Sequence, residues 1–326
     1  MPLLNFRDPA LTADSHRNRI CPATLFRSAQ PFPAADQDTV RELRARGIRT
    51  IVDLRGDSER SDADWAAAAE AGIRVLWAPL DASAEMEAVD PRSLRTAEDL
   101  GRFYLTLAEI TPRAIADAVT AAAAPGATLV HCAAGKDRTG LLVALLLDLA
   151  GVPLDEIAED YARTADALPQ IFAALAGAAD RSALNAGAAD RGALNAGAAD
   201  RGALNAGAAD RGALNAGAAD RSAPNGGGVA RSTAGTALGD RSIPPALLEA
   251  PAEAIRTFVD GIRTRHGGTE AFLRGCGADA AVIASFRAKA ALVQGPGAAA
   301  QKPAPVHAQD PAPVPAAAAT VLTADR

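Results

Sequence analysis

Large side chains are scarce in this chain. Aromatic residues occupy 4% of its 326 positions, as eight Phe, two Trp and two Tyr. The 49% hydrophobic fraction therefore rests largely on Ala, which buries little area per residue. Less of the chain can be core than its length suggests. Cysteine is sparse too: Cys21, Cys132 and Cys276 are widely spaced with no CxxC, so neither a disulfide framework nor a zinc site is indicated. A basic excess is missing, since 33 Lys+Arg stand against 39 Asp+Glu for a net charge of −6. With no Lys/Arg block, the footprint of a general nucleic-acid or anionic-membrane binder is excluded, while a local anion pocket is not. Long apolar runs are also missing. The most apolar, Leu141 to Ala150, is about half the ~20 residues of a membrane span and contains Asp148. Asn5, Arg7, Asp8 and Asp14 stand where a signal peptide would carry its apolar segment. The expected protein is a monomer with reduced thiols, no nucleic-acid partner and no integral membrane segment.

What is present is alternation. The runs Ile48 to Leu54, Ile73 to Trp77 and Thr128 to His131 read as strands, each preceded by Gly47, Gly72 or Pro125-Gly126. Helical periodicity falls at about 35–46, 60–71, 98–122, 139–150 and 154–166. Strands separated by helices imply an α/β fold with a central, mostly parallel sheet flanked by helices. From about residue 177 the texture changes to a ten-residue unit, Gly-Ala-Ala-Asp-Arg-(Gly/Ser)-Ala-Leu-Asn-Ala, decaying into Gly226-Gly227-Gly228. In a helix, successive repeat leucines would be rotated by about 80°, so no apolar stripe could form. Helical pattern resumes at Pro244 to His266, Thr269 to Leu273 and Asp279 to Val293, and the chain ends in an Ala/Pro-rich stretch. The expected organisation is a single domain in two parts, 1–176 and 243–294. A low-complexity insert, 177–242, divides them, and a disordered tail, 295–326, follows.

One segment carries chemistry: His131-Cys132-Ala133-Ala134-Gly135-Lys136-Asp137-Arg138-Thr139-Gly140. It joins a β-rich run to a strongly apolar helix, so Cys132 falls in a strand-to-helix turn and the amides from Ala133 to Arg138 converge. Converging amides at a helix N-terminus cradle an anion, and the same field favours a thiolate. Arg138 can grip two phosphate oxygens with its planar fork, and Gly135 lets the backbone approach the ligand closely. A thiolate beside a dianion trap implies phosphoryl transfer through a phosphocysteine, with an acid protonating the leaving alkoxide and Thr139 assisting the sulfur as it leaves. No metal or other cofactor is needed. Cys21 and Cys276 lie in no comparable loop and read as ordinary small residues.

His131 through Gly140 resembles the signature of the cysteine-dependent protein tyrosine phosphatase superfamily. The Gly-Lys-Asp-Arg ending is similar to that of atypical bacterial tyrosine and lipid phosphatases of the mycobacterial protein tyrosine phosphatase B group. Asn5-Phe6-Arg7-Asp8, Leu25-Phe26-Arg27-Ser28, Asp53-Leu54-Arg55, Asp160-Tyr161, Pro169-Gln170 and His266-Gly267-Gly268 fall in the order that family shows. The resemblance implies a phosphatase of relaxed specificity, acting on phosphotyrosine and, in several members, on phosphoserine/threonine or phosphoinositides. Lys136 resembles a loop lysine of phosphoinositide phosphatases; alternatively it only adds positive potential for any phosphate. A cytoplasmic location is expected, or export without a recognisable signal peptide.

The acid is open among three aspartates. Asp137 matches the family's loop Asp, Asp53 ends a strand beside Arg55, and Asp81 closes Trp77-Ala78-Pro79-Leu80-Asp81, where a mobile acid loop belongs. A phosphoinositide-selective lipid phosphatase is the alternative function, and a rhodanese-like sulfurtransferase, which also places a Cys in a strand-to-helix loop, is a more distant rival.

Overall fold

In the computed structural model, residues 3–11, 20–81, 93–177 and 245–291 are described. The strands are β1 (Leu25–Ser28), β2 (Ile48–Asp53), β3 (Arg74–Trp77) and β4 (Ala127–His131). They form one sheet of order β1-β4-β2-β3 in which every pairing is parallel, so the α/β parallel-sheet class stands. β4 is central. Its end is in register with the ends of both neighbours, His131 opposite Ser28 on one side and Asp53 on the other.

Both faces of the sheet are covered, as a parallel sheet requires. Ile51 and Leu129 face one way, onto α1 (Gln37–Ala45) and α2 (Ala66–Glu70), whereas their neighbours Val52 and Val130 enter the larger core on the other face. That core is built from α3 (Ala97–Ile110), α4 (Pro112–Ala123), α5 (Asp137–Leu149), α6 (Leu154–Ala162) and, beyond a further helix α7 (168–177) and the repeats, α8 (Pro245–Leu248), α9 (Ala252–His266), α10 (Thr269–Gly275) and α11 (Ala280–Ala290). α5 is buried almost all round, which accounts for its apolar run, and among the described residues no helix is long and apolar enough to cross a membrane. α9 crosses α3 closely. A Cβ at Gly101 would lie 2.5 Å from the Ala254 carbonyl oxygen.

Three details differ from the sequence reading. The helix expected over 98–122 is two helices, because Pro112 has no N–H to continue α3 and pushes Thr111 out of helical geometry. Pro251 separates α8 from α9 in the same way. β1 showed no alternation because all four of its residues are buried, an arginine included. The repeat insert and the Ala/Pro-rich tail lie outside the described residues.

Candidate active site

β4 delivers Cys132, 2% exposed, to the sheet's C-terminal edge, and α5 begins five residues later. Between them the backbone turns its carbonyls outward. The Ala133 oxygen accepts from the Gln30 amide, the Gly135 oxygen from Asn5 Nδ2 (3.0 Å) and Arg27 Nη2 (2.8 Å), and the Lys136 oxygen from the Gly140 amide. The amides of Ala133 through Arg138, by contrast, donate to no described residue. Six adjacent amides at a helix N-terminus with no described partner make a concavity able to receive an anion. Gly135 holds φ at +66°, and a Cβ there would sit 2.2 Å from the Ser28 carbonyl oxygen, so this turn needs glycine.

The loop is gripped from behind by buried charge. Asp160 on α6 accepts from Arg27 Nη1 at 2.6 Å and from Arg7 Nε at 2.8 Å. Burial opposes the Asp160 charge, but the two guanidinium groups hold its carboxyl below the usual range. Arg27 thus ties α6 to the Gly135 carbonyl through a single side chain.

Arg138 presents its end-on fork to Glu59, with Nη1–Oε2 at 2.5 Å and Nη2–Oε1 at 2.7 Å, and Nη1 lies 3.4 Å from the Leu54 carbonyl oxygen. Burial works against the guanidinium charge, yet Glu59, Cys132 and Asp137 raise its affinity for the proton. The side-on fork, Nε–H with the second Nη2–H, donates to no described residue. A bound phosphate can take that edge bidentately. Glu59, whose other duty is to accept the Gly56 amide at 2.9 Å, was not legible in the sequence as a site residue.

His131 is fully buried, and burial lowers its pKa to about 4. The Trp65 indole N–H donates to its Nε2 at 2.9 Å, so the neutral ring keeps its proton on Nδ1, facing the Cys132 carbonyl oxygen at 3.2 Å. The histidine fixes the peptide after Cys132 and carries no charge. Thr139 Oγ1 is buried with no hydrogen-bond partner among the described residues.

Lys136, expected to help hold phosphate, is placed otherwise. Its ammonium donates to the Leu247 carbonyl oxygen at 2.6 Å and to that of Glu249 at 2.9 Å, and it pairs with Asp137 Oδ1 at 3.5 Å. It ties the loop to the chain that returns after the repeats.

The three aspartates fare differently. Asp53 is buried and paired with Arg55, at 2.7 Å to Nη2 and 3.0 Å to Nε. Burial opposes its charge, but protonated His131 and, at every working pH, Arg55 keep its carboxyl below the usual range. Arg55 in turn reaches Asp64 at 2.8 Å. Asp81 is exposed and its carboxylate lies against Gly56, where a Cβ would be 2.0 Å away. It borders an open cavity of about 430 Å³ with Trp77, Pro79, Ile110 and Arg113. Asp137 opens α5 beside the cradle. Its Oδ1 accepts from the Tyr104 hydroxyl at 2.5 Å, and its side chain is 36% exposed.

The tyrosine phosphatase family profile matches residues 2–291. The chain belongs to the tyrosine phosphatase family. The resemblance drawn from the loop therefore holds, and with it the enzyme class, a protein-tyrosine phosphatase. The triple specificity protein phosphatase PtpB of Mycobacterium tuberculosis is 32% identical over 195 residues, covering 51% of this chain and 68% of its own. A tyrosine-protein phosphatase of Cupriavidus necator is 33% identical over 165 residues, 48% of this chain and 59% of its own. Among solved structures, the catalytic core of Siw14 is 18% identical over 50% of this chain and 77% of its own, with a TM-score of 0.33.

Proposed function

We propose that this phosphatase hydrolyses phosphate monoesters, phosphotyrosine foremost, through a phosphocysteine formed on Cys132. The observation that carries this reading is the cradle itself: amides from Ala133 to Arg138 and one edge of Arg138, none with a partner among the described residues, beside a buried cysteine. In the first step the Cys132 thiolate attacks phosphorus in line. An S–P bond forms, the P–O bond to the leaving group breaks, and Asp137 passes its proton to the departing oxygen. The amides and Arg138 bind the equatorial oxygens more strongly as charge develops on them. In the second step ionised Asp137 takes a proton from water, the water oxygen attacks phosphorus, and sulfur leaves as thiolate with the Thr139 hydroxyl donating to it. Phosphate departs and Asp137 is again protonated.

Asp137 is the acid in this scheme because one of its oxygens accepts from no described residue and it opens the helix beside the cradle, whereas Asp53 is closed by Arg55 and Asp81 lies against Gly56 after β2. For substrate range, relaxed specificity fits the name of the M. tuberculosis relative, and phosphoserine/threonine and phosphoinositides belong in the same class of monoesters. A lipid-selective enzyme is less well supported, since the cation that suggested it, Lys136, is engaged by Leu247 and Glu249.

The test is a phosphate-release panel of phosphotyrosine, phosphoserine/threonine and mono-phosphoinositide substrates, with Cys132→Ser as control. Turnover of phosphotyrosine that disappears in the control is expected. Turnover surviving in Cys132→Ser would overturn the mechanism. Thiocyanate production from thiosulfate and cyanide would point to a sulfurtransferase, and none is expected.

A further inference from the structure

The chain has only two tyrosines, and both stand behind Asp137. Tyr104 comes from α3 and Tyr161 from α6, two helices that meet at the start of α5. Each is buried to within 1% of full enclosure. Burying a hydroxyl is unfavourable unless it is hydrogen-bonded, and Phe would fill the same space without that requirement. Here both hydroxyls are bonded, and in one direction only. The Tyr104 hydrogen is committed to Asp137 Oδ1 at 2.5 Å, so the Tyr104 oxygen, 2.7 Å from that of Tyr161, must accept from Tyr161. The chain of donors runs Tyr161 to Tyr104 to Asp137.

The packing fixes this arrangement. Tyr161 lies over Gly140, one turn along α5 from Asp137, where a Cβ would be 2.7 Å from the ring. Tyr104 meets the Tyr161 ring edge-on at 6.2 Å and Phe258 of α9 at 6.5 Å. Burial, then the Asp137 charge, keeps the Tyr104 proton in place far above its ordinary pKa, so it remains a donor throughout any working range. The other charged groups around Asp137 are Lys136 at 3.5 Å and Arg138, with Arg27 behind Tyr161; α9 presents Phe258 to Tyr104.

We propose that Tyr104, backed by Tyr161, is a positioning residue for the acid. It holds Oδ1 of Asp137 as an acceptor in both protonation states, so that the transferable proton resides on Oδ2, which accepts from no described residue. The inference rests on Asp137 being the acid. A carboxyl pinned at one oxygen presents the other to the leaving group without a search over rotamers, and the donated hydrogen bond stabilises the carboxylate left after proton transfer.

The test is Tyr104→Phe, with Tyr161→Phe beside it, in pH–rate profiles on phosphotyrosine and on p-nitrophenyl phosphate, whose leaving group needs little protonation. For Tyr104→Phe, kcat on phosphotyrosine should fall roughly tenfold, the loss of one charge-assisted hydrogen bond, with KM little changed. The basic limb should move to higher pH, because a carboxylate that has lost a donor holds its proton more tightly. Tyr161→Phe should move the limb the same way by less, and decides the matter if Tyr104→Phe does not fold. On p-nitrophenyl phosphate the loss should shrink, and in an Asp137→Asn background Tyr104→Phe should cost nothing more. A basic limb that survives in Asp137→Asn would refute Asp137 as the acid. A limb lost in Asp137→Asn but unmoved in both tyrosine variants would overturn the positioning role alone.

Discussion

Asp53, at the end of β2, and Asp137, at the start of α5, lie at the same edge of the sheet as Cys132, which follows β4. Both are carboxylates within two residues of an arginine in sequence, and from sequence both were candidates for the acid. Their surroundings separate them. Asp53 gives both oxygens to Arg55 and is part of a buried set that includes Asp64 and His131. Asp137 gives one oxygen to Tyr104 and keeps the other open. A carboxylate closed on both sides by a guanidinium is held ionised and organises the structure. One fastened at a single oxygen can still exchange a proton.

The sharpest way to break this contrast is to neutralise each in turn. Asp53→Asn leaves the Arg55 charge buried with one partner fewer, which should cost about 3–5 kcal/mol of folding stability while preserving the basic limb of the pH–rate profile in whatever fraction folds. Asp137→Asn should do the reverse: melting temperature close to the parent, kcat on phosphotyrosine down roughly a hundredfold, and the basic limb gone. Denaturant unfolding and pH–rate profiles on the two variants distinguish these outcomes, and exchanged phenotypes would reverse the assignment.

The Asp53 side also predicts its own pH dependence. His131 sits neutral with a folded pKa near 4, below its unfolded value near 6.5. The unfolded chain therefore binds the extra proton in that interval. Stability from the neutral ring is complete above about pH 6.5 and is lost as pH falls toward about 4, up to roughly 3 kcal/mol. Denaturant titrations across this window should show the slope, and His131→Gln should flatten it. A slope unchanged by that substitution would mean that the ring is not buried neutral.

Smaller effects sharpen the comparison at its margins. Glu59→Ala frees the end-on fork of Arg138 and should lower kcat/KM on phosphotyrosine about tenfold by loosening the edge that meets phosphate, with the basic limb unmoved. Asp81→Asn should change neither the limb nor stability measurably, since Asp81 is exposed and no described residue shares a hydrogen bond or ion pair with its carboxylate.

What was legible in the sequence follows from distance along the chain. Cys132, Gly135, Arg138 and Thr139 lie in one short run, so the cradle could be read from spacing, and the strands around it from β-branched runs after glycine. The partners that give these residues their roles are remote: Tyr104 is 33 residues from Asp137, Glu59 is 79 from Arg138, and Leu247 is 111 from Lys136. Nothing local marks them. Lys136 shows the consequence, because residue type announces a cation near the phosphate while only the fold reveals which oxygens receive its hydrogens. β1 was hidden for a related reason, as burial of all four residues, Arg27 included, removes the alternation that betrays a half-buried strand.

Cys132 as nucleophile and Asp137 as proton carrier are most directly tested by acid quenching. Asp137→Asn, turning over p-nitrophenyl phosphate, forms the S–P bond without needing a strong acid but lacks the base for its hydrolysis. Peptide mapping after a rapid quench should find phosphate on Cys132, in greater amount than in the parent enzyme and absent from Cys132→Ser. Steady turnover of that substrate with Cys132 unmodified at every quench time, or phosphate on another side chain, would contradict it.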